Sequence, residues 1–215
     1  MTDVWSARAE AYRQSPAHAA GADLDLVVEW AEPGRGVTAL DVATGGGHVA
    51  KRLREAGATV VTADRAPGME PDVVCPAEDI PFADDSFDVV TVRIAPHHFD
   101  DVASAVREMA RVSRDRVVIE DTLYESEELE RIYALRDPTH VRCYTEAEWR
   151  GFVEQAGLRV EAVEMIETRR PLEAWLECVD VPAGEADQLR DLLADRLDEL
   201  GEWGDLKIVI KARKR

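Results

Sequence analysis

The stretch from Thr38 to Asp64 constrains this chain more than any other. A strand-like run, Thr38–Val42, leads into Gly45, Gly46 and Gly47. A helical pattern over His48–Ala56 follows, closed by Gly57, and then a β-branched run, Thr59–Ala63, ends at Asp64. Glycine just past a periodic apolar segment is a helix stop signal. The alternation continues with Asp72–Val74, strand Phe87–Val92, a helix capped by Asp101 through about Val112, and strand Arg116–Glu120. Strands alternating with helices at short intervals predict a parallel sheet with helices on both faces.

Beyond that half, Glu125–Leu135 predicts a helix and Arg136–Arg142 a loop. Thr145 and Glu148 have capping-box spacing for a helix through Ala156, stopped at Gly157. Arg159–Met165 predicts a strand, Glu185–Leu200 a long charged helix, and Leu206–Lys211 a last strand. At 215 residues, without repeats or linkers, the chain reads as one domain, 1–215.

Charge narrows the function. Lys and Arg number 26 against 44 Asp and Glu, a net of −18 that disfavours a nucleic-acid partner. The basic run Lys211–Arg215 reads as a solvated end rather than a binding arm. Only Lys51, Lys207, Lys211 and Lys214 are lysines, a bias that a salty habitat or base composition would each produce. No apolar stretch approaches the roughly 18 residues of a membrane span, and the N-terminus carries no leader pattern. Cys75, Cys143 and Cys178 are odd in number and lack metal-ligand spacing. They predict free thiols in the cytoplasm, and no metal.

The glycine turn lets backbone approach a ligand at the helix N-terminus, and an acid ending the next strand, Asp64, can accept both ribose hydroxyls. Gly45 to Ala50 also satisfies a relaxed dinucleotide fingerprint, so an NAD(P)-dependent oxidoreductase is an alternative. Asp41 argues against it, because a carboxylate there repels a pyrophosphate and attracts an ammonium group.

The segment Leu40–Gly47, with Ala43 where glycine is usual, resembles the first motif of class I S-adenosylmethionine-dependent methyltransferases of the small-molecule and quinone branch. Asp64, Ala77–Val90, Ala95–Phe99 and Glu108–Val112 follow in that family's order, whereas Pro76 replaces an acid and Ser113–Asp115 replaces a Pro-Gly-Gly turn. The resemblance implies a doubly wound, mostly parallel, seven-stranded Rossmann-like α/β sheet with an antiparallel last strand. It implies an N-terminal helical lid over 1–35, a cofactor-binding half over 36–121 and an acceptor-side half over 122–215. It also implies S-adenosylmethionine as cofactor and a small-molecule acceptor.

Site roles follow from it. Ala43, Gly45 and Gly47 pass beneath the methionine part, Asp41 supports its ammonium and Arg93 its carboxylate. Asp64 takes the ribose, Arg65 packs near adenine, Ala77 and Glu78 recognise the base, and Ile80 walls it. Of the adjacent histidines, His97 is expected inward as a general base and His98 outward. Tyr12 is the expected lid contact. Arg136, His140 and Arg142 are expected to face an acidic or phenolate-like acceptor, with Trp175 lining its pocket. Displacement at a sulfonium does not demand a base, so a non-catalytic cofactor-binding protein is a further alternative.

Overall fold

In the computed structural model, residues 3–179 and 181–215 are described. Among them, seven strands form one sheet in the order β3-β2-β1-β4-β5-β7-β6. The strands are β1 (Thr38–Val42), β2 (Thr59–Asp64), β3 (Val73–Val74), β4 (Phe87–Arg93), β5 (Ser113–Thr122), β6 (Leu158–Pro171) and β7 (Glu202–Lys214). Strands β1 to β5 pair in parallel, and β7 is antiparallel to both neighbours. The expected α/β class and antiparallel last strand are as read from the sequence.

Alternate residues of each strand face opposite sides. Ala39, Val89, Val118 and Val209 pack against α3 (Ala22–Ala31) and α4 (His48–Glu55). Leu40, Val90, Val117 and Ile210 pack against α5 (Val102–Val112) and α7 (Glu146–Gln155), where Trp149 is wholly core. Both central layers are therefore mainly apolar, and the buried acids Asp41, Asp64, Glu120 and Asp121 gather toward the carboxyl ends of their strands. Asp101 caps α5 by accepting the Ser104 amide (3.0 Å), and the Thr145–Glu148 capping box is formed.

A third cluster joins α6 (Glu127–Arg136), α8 (Leu172–Glu177) and α9 (Ala183–Leu193) around Trp175 and Trp203. At the N-terminus, α1 (Val4–Gln14) and the single turn α2 (Pro16–Ala19) precede α3. Helix α1 packs through Ala9 on Ala66 and Met69.

Several expected boundaries move. The helix expected over Glu185–Leu200 stops at Leu193, the last residue of that helix reaching the third cluster. Asp198 then accepts the Leu200 and Glu202 amides (2.9 Å each) and turns the chain, with Gly201 at φ +72°, into β7. Ser113–Asp115 is not a turn: Ser113 opens β5 directly after α5, its hydroxyl donating to the Arg116 carbonyl (2.8 Å) across a register shift. The β6–β7 ladder outruns both expected strands, and α8 begins where Pro171 ends β6. The basic tail is engaged by acids: Arg213 by Asp115, Glu161 and Glu32, Lys211 by Glu32, and Lys214 by Asp85.

With a net charge of −18, self-repulsion opposes the compact state, and salt screens it. Raising KCl from 0.1 to 1 M shortens the screening length from about 10 to about 3 Å. The melting temperature is expected to rise by about 5 °C, followed by calorimetry. A fall would mean that screened ion pairs matter more than the excess of acid.

Candidate active site

The carboxyl ends of β1 and β2 meet at the glycine turn. Asp41, one residue before the end of β1, has a buried side chain: Thr44 Oγ1 donates to its Oδ2 (2.6 Å) and Thr91 Oγ1 to its Oδ1 (2.8 Å). Burial pushes its pKa up to about 6. Asp64 ends β2, accepting the Gly45 amide at Oδ2 and the Ala66 amide at Oδ1, both at 2.9 Å. It too is raised by burial. Among the described residues no cation pairs with either carboxylate. Gly45 (φ +52°) and Ala43 (φ +51°) hold left-handed backbone between them. Two desolvated acids without counter-ions call for a ligand with hydrogen-bond donors and positive charge.

Both acids line one crevice with Ala43, Gly45, Arg65 and Arg93. Trp5 and Tyr12 of α1 lie over it. Helix α1 is seated by two glycines: a Cβ on Gly46 would meet the Tyr12 carbonyl oxygen at 2.7 Å, and one on Gly68 would meet Ser6 Cα at 2.6 Å. His48 Nε2 bonds the same Tyr12 carbonyl (3.0 Å).

A second cavity of about 520 Å³ adjoins the crevice, sharing Tyr12, His18, Ile94 and His98 with it. Ile94 is a β-branched residue at φ +50°, a strained backbone of the kind found at functional sites. His97 faces this cavity, its Nδ1 2.5 Å from Asp121 Oδ1. Burial pushes the His97 pKa well down and that of Asp121 up to about 7. Burial therefore keeps the imidazole neutral, and Nε2 has no hydrogen-bond partner among the described residues.

The expected residues divide. Asp41, Ala43, Gly45, Asp64, Arg65 and Arg93 line the crevice, and Tyr12, His97, His140 and Trp175 line the cavity. Gly47, at φ +76°, shapes the turn without lining either. Ala77, Glu78 and Ile80 also lie off the crevice. Ala77 and Ile80 are core, and Glu78 accepts the Asp100 and Asp101 amides (3.1 and 3.3 Å) ahead of α5. Arg93 does not offer a free guanidinium: Asp23 takes it at 2.5 Å, and its Nη1 donates to the His18 carbonyl (2.9 Å). Arg142 points away, drawn to Glu148 (2.7 Å) and stacked over Tyr144, so the expected cluster of three cations is broken up. His98 is not outward. It lines both cavities, with Nδ1 2.9 Å from the Thr139 carbonyl. His140 is fastened to Glu130 (3.3 Å), which also accepts the Cys143 amide (3.1 Å). These three side chains bring one donor atom each within 4.8 Å of one another.

Sequence reasoning missed Asp121, Arg170 and Lys207. Asp121 had a signal, an acid at the carboxyl end of a parallel strand. The others are placed by tertiary contact alone.

A methyltransferase domain family matches residues 40–119. The chain is 31% identical over 218 residues to an uncharacterized methyltransferase of Bacillus subtilis, YcgJ, covering 91% of this chain and 86% of that protein. The crystal structure of the YcgJ protein matches with a TM-score of 0.79 at 26% identity, over 90% of this chain and 98% of that one. A demethylmenaquinone methyltransferase of Mycolicibacterium paratuberculosis is 39% identical over 89 residues, 38% of this chain and 39% of that protein.

Gly46→Ala is expected to lift α1 from its seat, because the neighbouring atom is backbone and cannot rotate aside. Amide exchange over Val4–Gln14 should quicken roughly tenfold, about 1.4 kcal/mol of local stability. Unchanged protection would show that the helix does not depend on this contact.

Proposed function

The chain belongs to the methyltransferase domain family and is an S-adenosylmethionine-dependent methyltransferase, and on that premise we propose that it methylates a hydroxyl of a small-molecule acceptor held beside His97. One observation carries this reading: the two carboxylates without counter-ions and the free imidazole edge lie on adjoining cavities. Membership of the family sets aside the nicotinamide-dependent and non-catalytic readings.

The residues present suit the cofactor. Asp64 keeps lone pairs for ribose hydroxyls beyond its two amide bonds. Asp41, raised by burial, is relieved by an ammonium group. Gly45 and Ala43 carry the backbone beneath, and Arg65, half-exposed, closes the outer side. Arg93 acts in this reading through Asp23, holding α3 against the end of β4.

When bound, S-adenosylmethionine would supply an electrophilic sulfonium methyl group to the acceptor oxygen, with the neutral thioether as leaving group. The hydroxyl proton passes to His97 Nε2, while Asp121 at Nδ1 fixes the tautomer and steadies the imidazolium. Holding oxygen and methyl group in line supplies most of the acceleration. Residues 1–35 serve as the lid in this reading. The crevice measures only about 100 Å³ beneath Trp5 and Tyr12, against roughly 300–1,000 Å³ for ligand pockets, so α1 lifts to admit the cofactor.

S-adenosylhomocysteine at a hundred times its Kd is expected to stabilise the protein by about 2.7 kcal/mol in a melting assay. NADH should leave the melting curve unchanged, and the reverse pattern would sink the cofactor reading. Asp64→Ala should weaken S-adenosylhomocysteine at least tenfold, the scale of hydrogen bonds to a charged group.

With an acceptor found by screening, kcat/KM should climb as pH rises through about 7. Below that value Asp121 is protonated and donates to Nδ1, which leaves the proton on Nε2. Asp121→Asn should abolish this rise and cost roughly a hundredfold in rate. A rate that falls with pH over the same interval removes His97 as the base.

A further inference from the structure

The cavity beside His97 is lined by more cations than its acids neutralise. Asp137 is engaged by Arg8 (2.9 Å) and Thr139 (2.7 Å). Asp205 is engaged twice, by Arg170 and by Lys207 (3.3 Å), and Lys207 also donates to Thr122 Oγ1 (2.6 Å). Arg136 is the exception. Its guanidinium lies over the Trp175 ring, 4.4 Å from the centroid, and its Nε donates to the Trp175 carbonyl (3.0 Å). Its other side-chain partner is the Cys178 thiol, and among the described residues no carboxylate pairs with it. Burial pushes its pKa down. A half-buried cation without a counter-ion is costly, and a planar fork matches a carboxylate in bidentate fashion.

We propose that the acceptor is a hydroxy-carboxylate whose carboxylate docks on the free edge of Arg136 while its hydroxyl faces His97. This rests on the methyl-transfer reading above and narrows its acceptor by charge. Tyr133 and Trp175, edge to face at 6.4 Å, give the apolar wall for the body of the molecule. Arg136, fixed by Trp175, sets which end of the acceptor enters first. Bond making and proton transfer remain at the hydroxyl, so the carboxylate is unchanged by the reaction.

The test uses the full chain saturated with S-adenosylhomocysteine and a panel of hydroxybenzoates and aliphatic hydroxy acids, each paired with its neutral amide. At least one acid should raise the melting temperature further while its amide does not. Arg136→Gln should weaken that acid at least tenfold by calorimetric titration and leave S-adenosylhomocysteine affinity unchanged. Arg136→Lys, which keeps the charge but not the fork, should recover part of the loss and guards against a folding defect in the glutamine variant. Equal stabilisation by amides, no response to any acid, or an unaltered affinity in Arg136→Gln overturns the proposal. If S-adenosylhomocysteine itself fails to bind, the cofactor reading falls instead, so the two failures are distinguishable.

Discussion

Two carboxylates carried out of water near adjacent strand ends, with no cation in a salt bridge to either among the described residues, are what the rest of the molecule is arranged around. Asp64 ends β2 and Asp41 lies one residue before the end of β1, and the parallel register brings those ends level, Val42 opposite Ala63. Each is held by hydroxyl or amide donors rather than by a salt bridge. Such donors fix orientation but only partly offset desolvation. The glycine turn follows from the same demand, since backbone N–H groups must come close to Asp64.

The end of β5 repeats the pattern with different chemistry. Glu120 and Asp121 are fully buried, and burial pushes them up to about 8 and about 7. Glu120 accepts the Ile94 amide (2.9 Å), and one oxygen of each carboxyl has no partner in the protein. The left-handed backbone at Ile94 is thus tied to a buried acid and placed between the two cavities. The apolar layers on either side of the sheet contribute stability, and these strand ends draw on it to hold strain and unpaired polar atoms.

Much of this was legible in the sequence. Period-two apolar runs and glycine stops placed β1, β2 and β4, and the acids at 41 and 64 stood out because an acid interrupts an otherwise apolar strand end. The acceptor side was read less well. Arg142 and Arg136 look alike in a linear sequence, yet Glu148 draws one outward while the ring of Trp175 holds the other inward. Charge alone could not separate them, because their partners come from α7 and α8. Glu78 and Ile80 lie off the crevice for a related reason. The segment carrying them is spent on fastening the start of α5 and on the core, which a motif match does not reveal. The strand-length errors at β6 and β7 arise because a two-stranded ladder extends as far as mutual pairing allows, whatever the intrinsic preference of each residue.

Helix α1 touches both halves of the site. Gly46 and Gly68 seat it over the crevice, and Arg8, nearly buried on the same helix, reaches Asp137 at the edge of the other cavity. In the proposed lid movement, raising the helix over one chamber would break the Arg8–Asp137 pair at the wall of the other. If the proposed lid opens in this way, entry of the two reactants is mechanically linked, which favours a compulsory order of addition over a random one, with the deeper guest seated before the door shuts on its companion.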